Sequence, residues 1–556
     1  MDKDQPRGSM IPEALNRRGY NTILDLVARV CTDHADRPAF TSFGRTLSFG
    51  ELDRLADAFA VYLQRNTDLE PGDRIAVQLP NIVQYPVVLF GALRAGLVVV
   101  NTNPLYTPRE MEHQFRDSGA KALVIHKSMA HNAEKIIGNT EVRHVILTQI
   151  GDLHGCVKRT LLNAAIKYLK KMEPPFHLPE AVSLRDALES GLGQKPQPAP
   201  RTTSDIAVLQ YTGGTTGIAK GAVLTHGNLV SNMLQGCKLI SQAAPGWSDT
   251  TVAPLPLYHI YAFTLSLIVM ENGGHTVLIP NPRDIPAFIR DLKGLRVSCF
   301  IGLNTLFVAL CNREAFRELD FSNLKVTISG GMALTHDAAD RWQEVTGCEI
   351  MEGYGLTETS PAVAINPPGG VRIGTIGLPL AETEIRIIDS DGADVEPGTP
   401  GELCVRGPQV MVGYWHLERD TALAFTDDGY FMTGDVAMQD EDGYLRIVDR
   451  AKDLIIVSGF NVYPNEVEDA VCSHPDVVEC AAVGVPDTKS GEAIKLFVVS
   501  RNDQLGVEDI RQWCQEQLTR YKVPKVIEFT DELPKSNVGK VLRRKLRDAE
   551  RDAEVA

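Results

Sequence analysis

The sequence predicts an α/β protein: a large N-terminal domain of α/β subdomains that includes a small β subdomain, followed by a small α+β domain. Three observations carry that expectation. Short apolar runs at 74–79, 97–100 and 122–125 alternate with helix-spaced segments, and such alternation builds a largely parallel sheet. Between 385 and 447, short apolar strands are punctuated by Asp391-Gly392, Glu396-Pro397-Gly398 and Glu441-Asp442-Gly443, as in antiparallel hairpins. A strip of alternating charge, Asp449-Arg450-Ala451-Lys452-Asp453, then separates two strands and sets the expected domains at 1–450 and 451–556.

With 556 residues, 44% of them apolar and 23% charged, the chain is long enough for two or more domains around a substantial core. A net charge of −15 argues against nucleic acid as the main partner, because phosphate backbones are bound by a basic face. The ten cysteines stand singly with no CxxC spacing, which suits reduced thiols in a cytoplasm rather than a disulfide framework or a zinc site. Met1-Asp2-Lys3-Asp4-Gln5-Pro6 has no apolar core of a secretory signal, so none is expected. The uncharged run at 250–270 approaches the length of a membrane span, about 20 residues. Pro254, Pro256 and His259 interrupt it, leaving 260–270 as a buried core helix.

Taken in order, Ser48-Phe49-Gly50-Glu51 is a capping box that starts a helix, and Pro71-Gly72-Asp73 turns into the strand at 74–79. A helix-like segment follows at 85–95. Thr107-Pro108-Arg109-Glu110 is a second capping box, with proline at the first helical position and Gly119 at the far end. Residues 157–172 form an amphipathic helix, with Val157, Leu161, Ala164, Ala165, Tyr168 and Met172 on one face and Arg159, Lys167, Lys170 and Lys171 on the other. It reads equally as a membrane-surface helix or as one packed on its own domain with a solvated basic side. Residues 191–200 then form a linker-like strip.

Thr212-Gly213-Gly214-Thr215-Thr216-Gly217, closed by Lys220, is the densest run of glycines and hydroxyls in the chain. Glycines let backbone N–H groups approach an anion, the threonines donate, and Lys220 adds a compact positive charge, so the loop reads as a phosphate cradle between two strands. It lacks the Gly-Lys-Ser/Thr spacing of the usual nucleoside-triphosphate loop; the competing reading is a Gly/Thr-rich turn with an incidental lysine. Tyr258-His259 and Ile328-Ser329-Gly330-Gly331-Met332 sit where apolar segments turn and could line a pocket, although a lone histidine in apolar company is commonly a satisfied core residue. In Glu352-Gly353-Tyr354-Gly355-Leu356-Thr357-Glu358 the glycines and tyrosine suit a stacked nucleotide ring, and Glu358 suits Mg²⁺, a hard cation that takes carboxylate and phosphate oxygens. Thr433-Gly434-Asp435 lies within the small β subdomain. The C-terminal lobe, with helices at 466–472 and 507–518 and strands at 481–485 and 495–499, ends in the basic segment 534–544 that carries Gly539-Lys540; acids flank that segment on both sides.

These motifs stand in the order and at the spacing of the adenylate-forming (AMP-binding) superfamily, which the chain resembles along nearly its whole length. Leu255-Pro256-Leu257-Tyr258-His259-Ile260, Asn103-Pro104-Leu105-Tyr106-Thr107-Pro108-Arg109-Glu110 and Ser458-Gly459-Phe460-Asn461-Val462-Tyr463-Pro464 are similar to the bacterial long-chain fatty acyl-CoA synthetases. The resemblance implies that ATP, a long-chain fatty acid and CoA are the small-molecule substrates, with Mg²⁺ as cofactor and a C-terminal domain that moves. It assigns the β- and γ-phosphates to Thr212, Gly213, Gly214, Thr215, Thr216, Gly217 and Lys220, the adenine to Gly331, Met332, Ala333, Glu352, Gly353 and Tyr354, and Gly355 to the ATP site beside them. Thr357 falls to the α-phosphate, Glu358 and Thr216 to Mg²⁺, and Asp435 and Arg450 to the ribose hydroxyls. Tyr258, His259, Ile260 and Gly330 become candidates for the mouth of an acyl tunnel, Ser458 and Gly459 for the CoA path, Lys452 for the hinge and Lys540 for the catalytic lysine. Tyr261 stands where phenylalanine is common, and Ser536 where many relatives have threonine. A medium-chain or aryl acid ligase, an enzyme loading a carrier protein, and a noncatalytic nucleotide-binding or membrane-associated regulator are the alternatives. A cytoplasmic location, peripheral membrane association and a homodimer complete the expectations.

Overall fold

Parallel strands with helices between them dominate the N-terminal part of the computed structural model, which describes residues 10–212, 219–244, 249–450, 452–458, 460–487, 490–535 and 541–555. The chain divides into two compact units, one built from residues up to 374 with 379–383 and 406–424, the other from 375–378, 384–405 and 425 onward. The small β subdomain therefore groups with the C-terminal residues, and the expected boundary at 450/451 falls inside the second unit. The reason is visible in the strand Leu445–Arg450, which runs through Asp449 into an ion network with Arg543.

In the first unit, one sheet runs in the order Val182–Ser183, His144–Thr148, Ala120–His126, Arg74–Gln78, Val98–Asn101, Ile206–Thr212, Lys220–Thr225. All its pairings are parallel except the last, where Thr212 pairs with Lys220 across an antiparallel ladder. The other sheet includes Ala362–Ile365, Ile350–Gly355, Val326–Ser329, Val297–Gly302, Thr250–Ala253, His275–Leu278 and Pro38–Ser42 as successive neighbours. From Ile350–Gly355 to Pro38–Ser42 these strands run parallel.

Both helix starts read from the sequence form. The helix Pro108–Ser118 has the full Thr107/Glu110 capping box and ends on Gly119 at φ +58°, a left-handed position that suits glycine. Ser48 caps Phe49–Asn66 by accepting from Glu51 N–H, while the Glu51 carboxylate pairs with Arg45. Ile260–Glu271 is apolar on every side and buried along nearly its whole length, as a core helix must be. Among the described residues no helix is long and apolar enough to cross a membrane. Trp342 centres one core cluster, with the rings of Phe300 and Phe307 at 4.9 and 4.7 Å, and all ten cysteines are free thiols.

The second unit holds a four-stranded sheet in the order Glu384–Ile388, Gly401–Arg406, Phe431–Gln439, Leu445–Arg450. It also holds a five-stranded sheet built on the long antiparallel pair Val477–Asp487 and Gly491–Ser500. The helices Pro464–Cys472, Val507–Gln517 and Arg543–Val555 complete it.

Candidate active site

In the first unit candidate residues stand at or just past the C-terminal ends of parallel strands, where α/β sheets commonly bind ligands. Ser329 ends its strand beside Glu352, so Gly330, Gly331, Met332 and Ala333 turn next to Gly353, Tyr354 and Gly355. Gly331 adopts φ +84°. The two segments are pinned together where Leu334 N–H donates to Glu352 Oε1 at 3.0 Å. The other oxygen, Oε2, is buried with no partner among the described residues, and burial pushes the Glu352 carboxyl up to about 8. Glu352 is thus a neutral acid near pH 7, which lowers its cost in an apolar wall.

A Cβ placed on Gly330 would stand 3.1 Å from the Tyr261 ring and 3.4 Å from Gly353 O, so a side chain there would crowd the ring. Tyr261 therefore packs at the candidate acyl mouth, with its hydroxyl buried and unpartnered among the described residues. His259 caps the helix Ile260–Glu271, its Nδ1 accepting from Tyr261 N–H at 3.4 Å, and burial pushes its ring down to about 4. It is a neutral cap at the apolar mouth, and Ile260 is buried beside it.

The segment 255–259 is fastened by two residues that spacing did not single out. Asn81 donates to Leu255 O at 2.9 Å and accepts from Leu257 N–H at 2.8 Å; Gln210 donates to Tyr258 O at 2.9 Å. Gln210 is itself held by Asn101, and Asn101 by the Tyr85 hydroxyl at 2.6 Å. Burial raises the Tyr258 phenol.

Thr357 and Glu358 lie in a single helical turn, Thr357–Thr359, that is half-buried at the first two positions. Thr264 Oγ1 donates to Ser360 O at 2.7 Å, tying that turn to the buried helix. A further residue absent from the sequence reading joins the set: Tyr414 donates its hydroxyl to Glu358 Oε1 at 2.9 Å. Its ring lies 5.2 Å from Lys220 Nζ, which also sits 3.1 Å from Asp420 Oδ1. The only sequence cue was Gly413-Tyr414-Trp415, an aromatic pair after glycine; its backbone docks on the cradle's second strand through Trp415 N–H to Gly221 O and Val223 N–H to Gly413 O. Among the described residues no three metal-type ligands cluster. One positioned carboxylate, Glu358, matches a Mg²⁺ ion held mostly by phosphate oxygens.

In the second unit Asp435 and Arg450 face each other across paired strands, with Nε to Oδ1 at 2.7 Å and Asp435 buried. Gly434, at φ +70°, and the Thr433 hydroxyl, which accepts from Asp435 N–H at 3.1 Å, shape the turn before it. Lys452 is exposed just past that strand, and Ser458, at φ +52°, donates its N–H to Ser490 O. Behind them Arg543 is part-buried among Asp449, Asp453, Asn465 and Glu468, with Nη2 to Glu468 Oε2 at 2.5 Å and Nη1 to Asp449 Oδ1 at 3.3 Å. Burial raises the Asp449 and Glu468 carboxyls, and Arg543 opposes that rise. Gly213, Gly214, Thr215, Thr216, Gly217, Gly459 and Lys540 lie outside the described residues.

Comparison with known proteins adds identity to this geometry. The AMP-binding enzyme profile matches residues 27–415, and the AMP-binding enzyme C-terminal domain matches 466–540. A long-chain-fatty-acid–CoA ligase of Escherichia coli O157:H7 is 50% identical over 546 residues, 97% of each chain. One of Haemophilus influenzae is 49% identical over 553 residues, 99% of this chain and 98% of its own. Among solved structures, ATP-bound MatB from Rhodopseudomonas palustris superposes with a TM-score of 0.83 at 29% identity, covering 96% of this chain and 99% of its own. With motifs, fold and full-length similarity in agreement, the chain belongs to the AMP-binding enzyme family.

Proposed function

We propose that the protein is a long-chain fatty acid–CoA ligase, converting ATP, a long-chain fatty acid and CoA into acyl-CoA, AMP and pyrophosphate through an acyl-adenylate. The observation that carries this reading is the 50% identity, over 97% of each chain, to a ligase of that name. In the first step a carboxylate oxygen attacks the α-phosphorus and the bond to the pyrophosphate oxygen breaks. Like charges meet there, so Lys220, the amides and hydroxyls of 212–217, Thr357 and Lys540 must offset negative charge as it develops. Mg²⁺ would be held at Glu358 and Thr216 and would neutralise phosphate oxygens. The neutral His259 and the apolar helix behind it suit a hydrocarbon chain. Asp435 and Arg450 take the ribose hydroxyls, and Gly331 to Ala333 with Glu352 to Tyr354 take the adenine.

In the second step the CoA thiolate attacks the acyl carbon and AMP leaves. Lys540 cannot occupy the first-step position while a thiol path past Ser458 and Gly459 is open, so the C-terminal residues rotate about Lys452 between steps. The enzyme works in the cytoplasm, with a fraction held peripherally on the inner face of the cell membrane, and associates as a homodimer.

The test is ATP-dependent CoA consumption with acetate, octanoate, palmitate and an aryl acid. Methylenes buried in a tunnel add roughly 0.8 kcal/mol each before ordering costs, so the specificity constant should climb from acetate to palmitate. An optimum at acetate or the aryl acid would refute the substrate class, and absence of pyrophosphate release with every acid would refute the enzyme.

A further inference from the structure

The helix Cys156–Ala164 and the wider π-helical turn Ala165–Leu169 that continues it contain no buried residue. A helix that packs on its own domain turns its apolar stripe inward. Here Val157, Leu161, Tyr168, Leu169 and Met172 are instead 56–81% exposed, four of them belonging to the stripe read from the sequence. Between residues 153 and 172 there is no Asp or Glu but there are five cations, Lys158, Arg159, Lys167, Lys170 and Lys171, in a chain whose net charge is −15.

A second element adds to the same face. The hairpin Pro38–Ser42 and Arg45–Ser48 turns through Phe43 and Gly44, both at positive φ, +51° and +69°. Two positive φ values in a two-residue loop match the right-handed twist of the strands, but a bulky phenylalanine at the first is strained, and such strain points toward function. Phe43 is 41% exposed at the tip. The tip is fastened to the start of the helix by Lys158 Nζ, which donates to Phe43 O and Gly44 O at 3.2 Å each, and by the His154 ring on Phe43 O at 3.2 Å.

We propose that this hairpin tip and helix form one docking surface for an anionic phospholipid bilayer. The apolar side chains enter the headgroup boundary while Lys167, Lys170 and Lys171 pair with lipid phosphates. Charge decides the occupant: a second copy docking through the same face would set this basic helix against its own basic helix, whereas an anionic bilayer brings opposite charge to it. An exposed aliphatic and aromatic row beside lysines is the composition that interfacial helices use. The proposal rests on the peripheral location proposed above and names the surface responsible.

The experiment uses the full-length protein and sedimentation with phosphatidylcholine vesicles, with or without phosphatidylglycerol. Wild type should bind only the anionic vesicles, and binding should weaken as salt is raised. Each lysine near the surface is worth about a fivefold change in partition, so Lys167→Glu/Lys170→Glu/Lys171→Glu should lower it by roughly a hundredfold or more. Leu161→Ser/Leu169→Ser should lower binding to the same vesicles while leaving the salt dependence in place. Both variants should keep wild-type CoA ligation of octanoate in solution, which establishes that they are folded. If wild type binds no vesicle, the peripheral location and this surface both fail. If wild type binds and the variants bind equally, the location stands and the surface is refuted. If the variants change self-association in sedimentation velocity but not vesicle binding, the patch is a contact between copies and the proposal is overturned.

Discussion

Two regions of the molecule handle charge in opposite ways. In the first unit, around residues 258–261, 330–334 and 352–358, the titratable groups are neutralised or hydrogen-bonded: His259 is pushed to about 4, Glu352 to about 8, and one Glu358 oxygen accepts from Tyr414. In the second unit, around residues 449–453, Arg543 gathers Asp449, Asp453 and Glu468, and Arg547 joins Asp453 at 2.8 Å. A neutral wall can receive a ring or an acyl chain without leaving a charge stranded. A network of several carboxylates around one guanidinium keeps its charges paired, and removing one partner would leave the others uncompensated; it lies beside Lys452, the proposed joint, whose carbonyl accepts from Arg547 at 3.3 Å. On the function proposed above, the first region is the platform that stays and the second the joint that rearranges.

The largest expected effect is that of pH on the platform. Glu352 has a folded pKa of about 8 against 4.5 for the free group, so the folded state holds a proton that the unfolded state has lost. Its contribution is full below 4.5, is lost as pH rises to about 8, and at ~1.4 kcal/mol per unit amounts to at most about 5 kcal/mol. From pH 5 to 8 the urea midpoint of wild type should fall relative to that of Glu352→Gln, and above about 8 the two should run parallel; parallel curves throughout would mean that Glu352 is charged and paired in the fold.

At the joint, Arg543→Met strands Asp449 and Glu468 without a cation, which costs about 3–5 kcal/mol. Limited proteolysis of the intact chain should then cut preferentially after residue 450, with the first unit resistant. Equal protection in mutant and wild type would show that the network does not hold this region. The smallest effect belongs to Tyr414→Phe, which removes one hydrogen bond to a carboxylate while keeping the ring over Lys220. A support of that kind is worth about 10–100-fold in metal affinity or activity. The Mg²⁺ concentration for half-maximal activity should rise, and an unchanged Mg²⁺ titration would detach Tyr414 from Glu358's proposed role.

Much of the platform is legible in the sequence because its signals are local. Capping at Thr107 and Ser48, a glycine at Gly119, and the apolar runs flanking 212–220 each act within a few residues. The residues that are not legible act across separations of 56 to 176 positions. Tyr414 reaches Glu358, Asn81 reaches Leu255 and Leu257, and Arg543 reaches Asp449, and no spacing rule announces such pairs. Glu51 illustrates the same limit at short range: its carboxylate had a local partner available and is instead paired with Arg45. The helix at 157–172 is the reverse case, with a stripe that is plain in the sequence and a direction that only the fold supplies.

The division between platform and joint is tested most directly by separating the two half-reactions in single-turnover measurements. Lys540→Ala should slow pyrophosphate release from acid and ATP by about 10²–10³-fold, the worth of one preorganised charge contact, while thioester formation from supplied acyl-adenylate and CoA stays near wild type. Lys452→Pro, which fixes φ at the proposed hinge, should show the reverse, with adenylation kept and thioester formation lost. Equal losses in both steps for either variant would contradict the account.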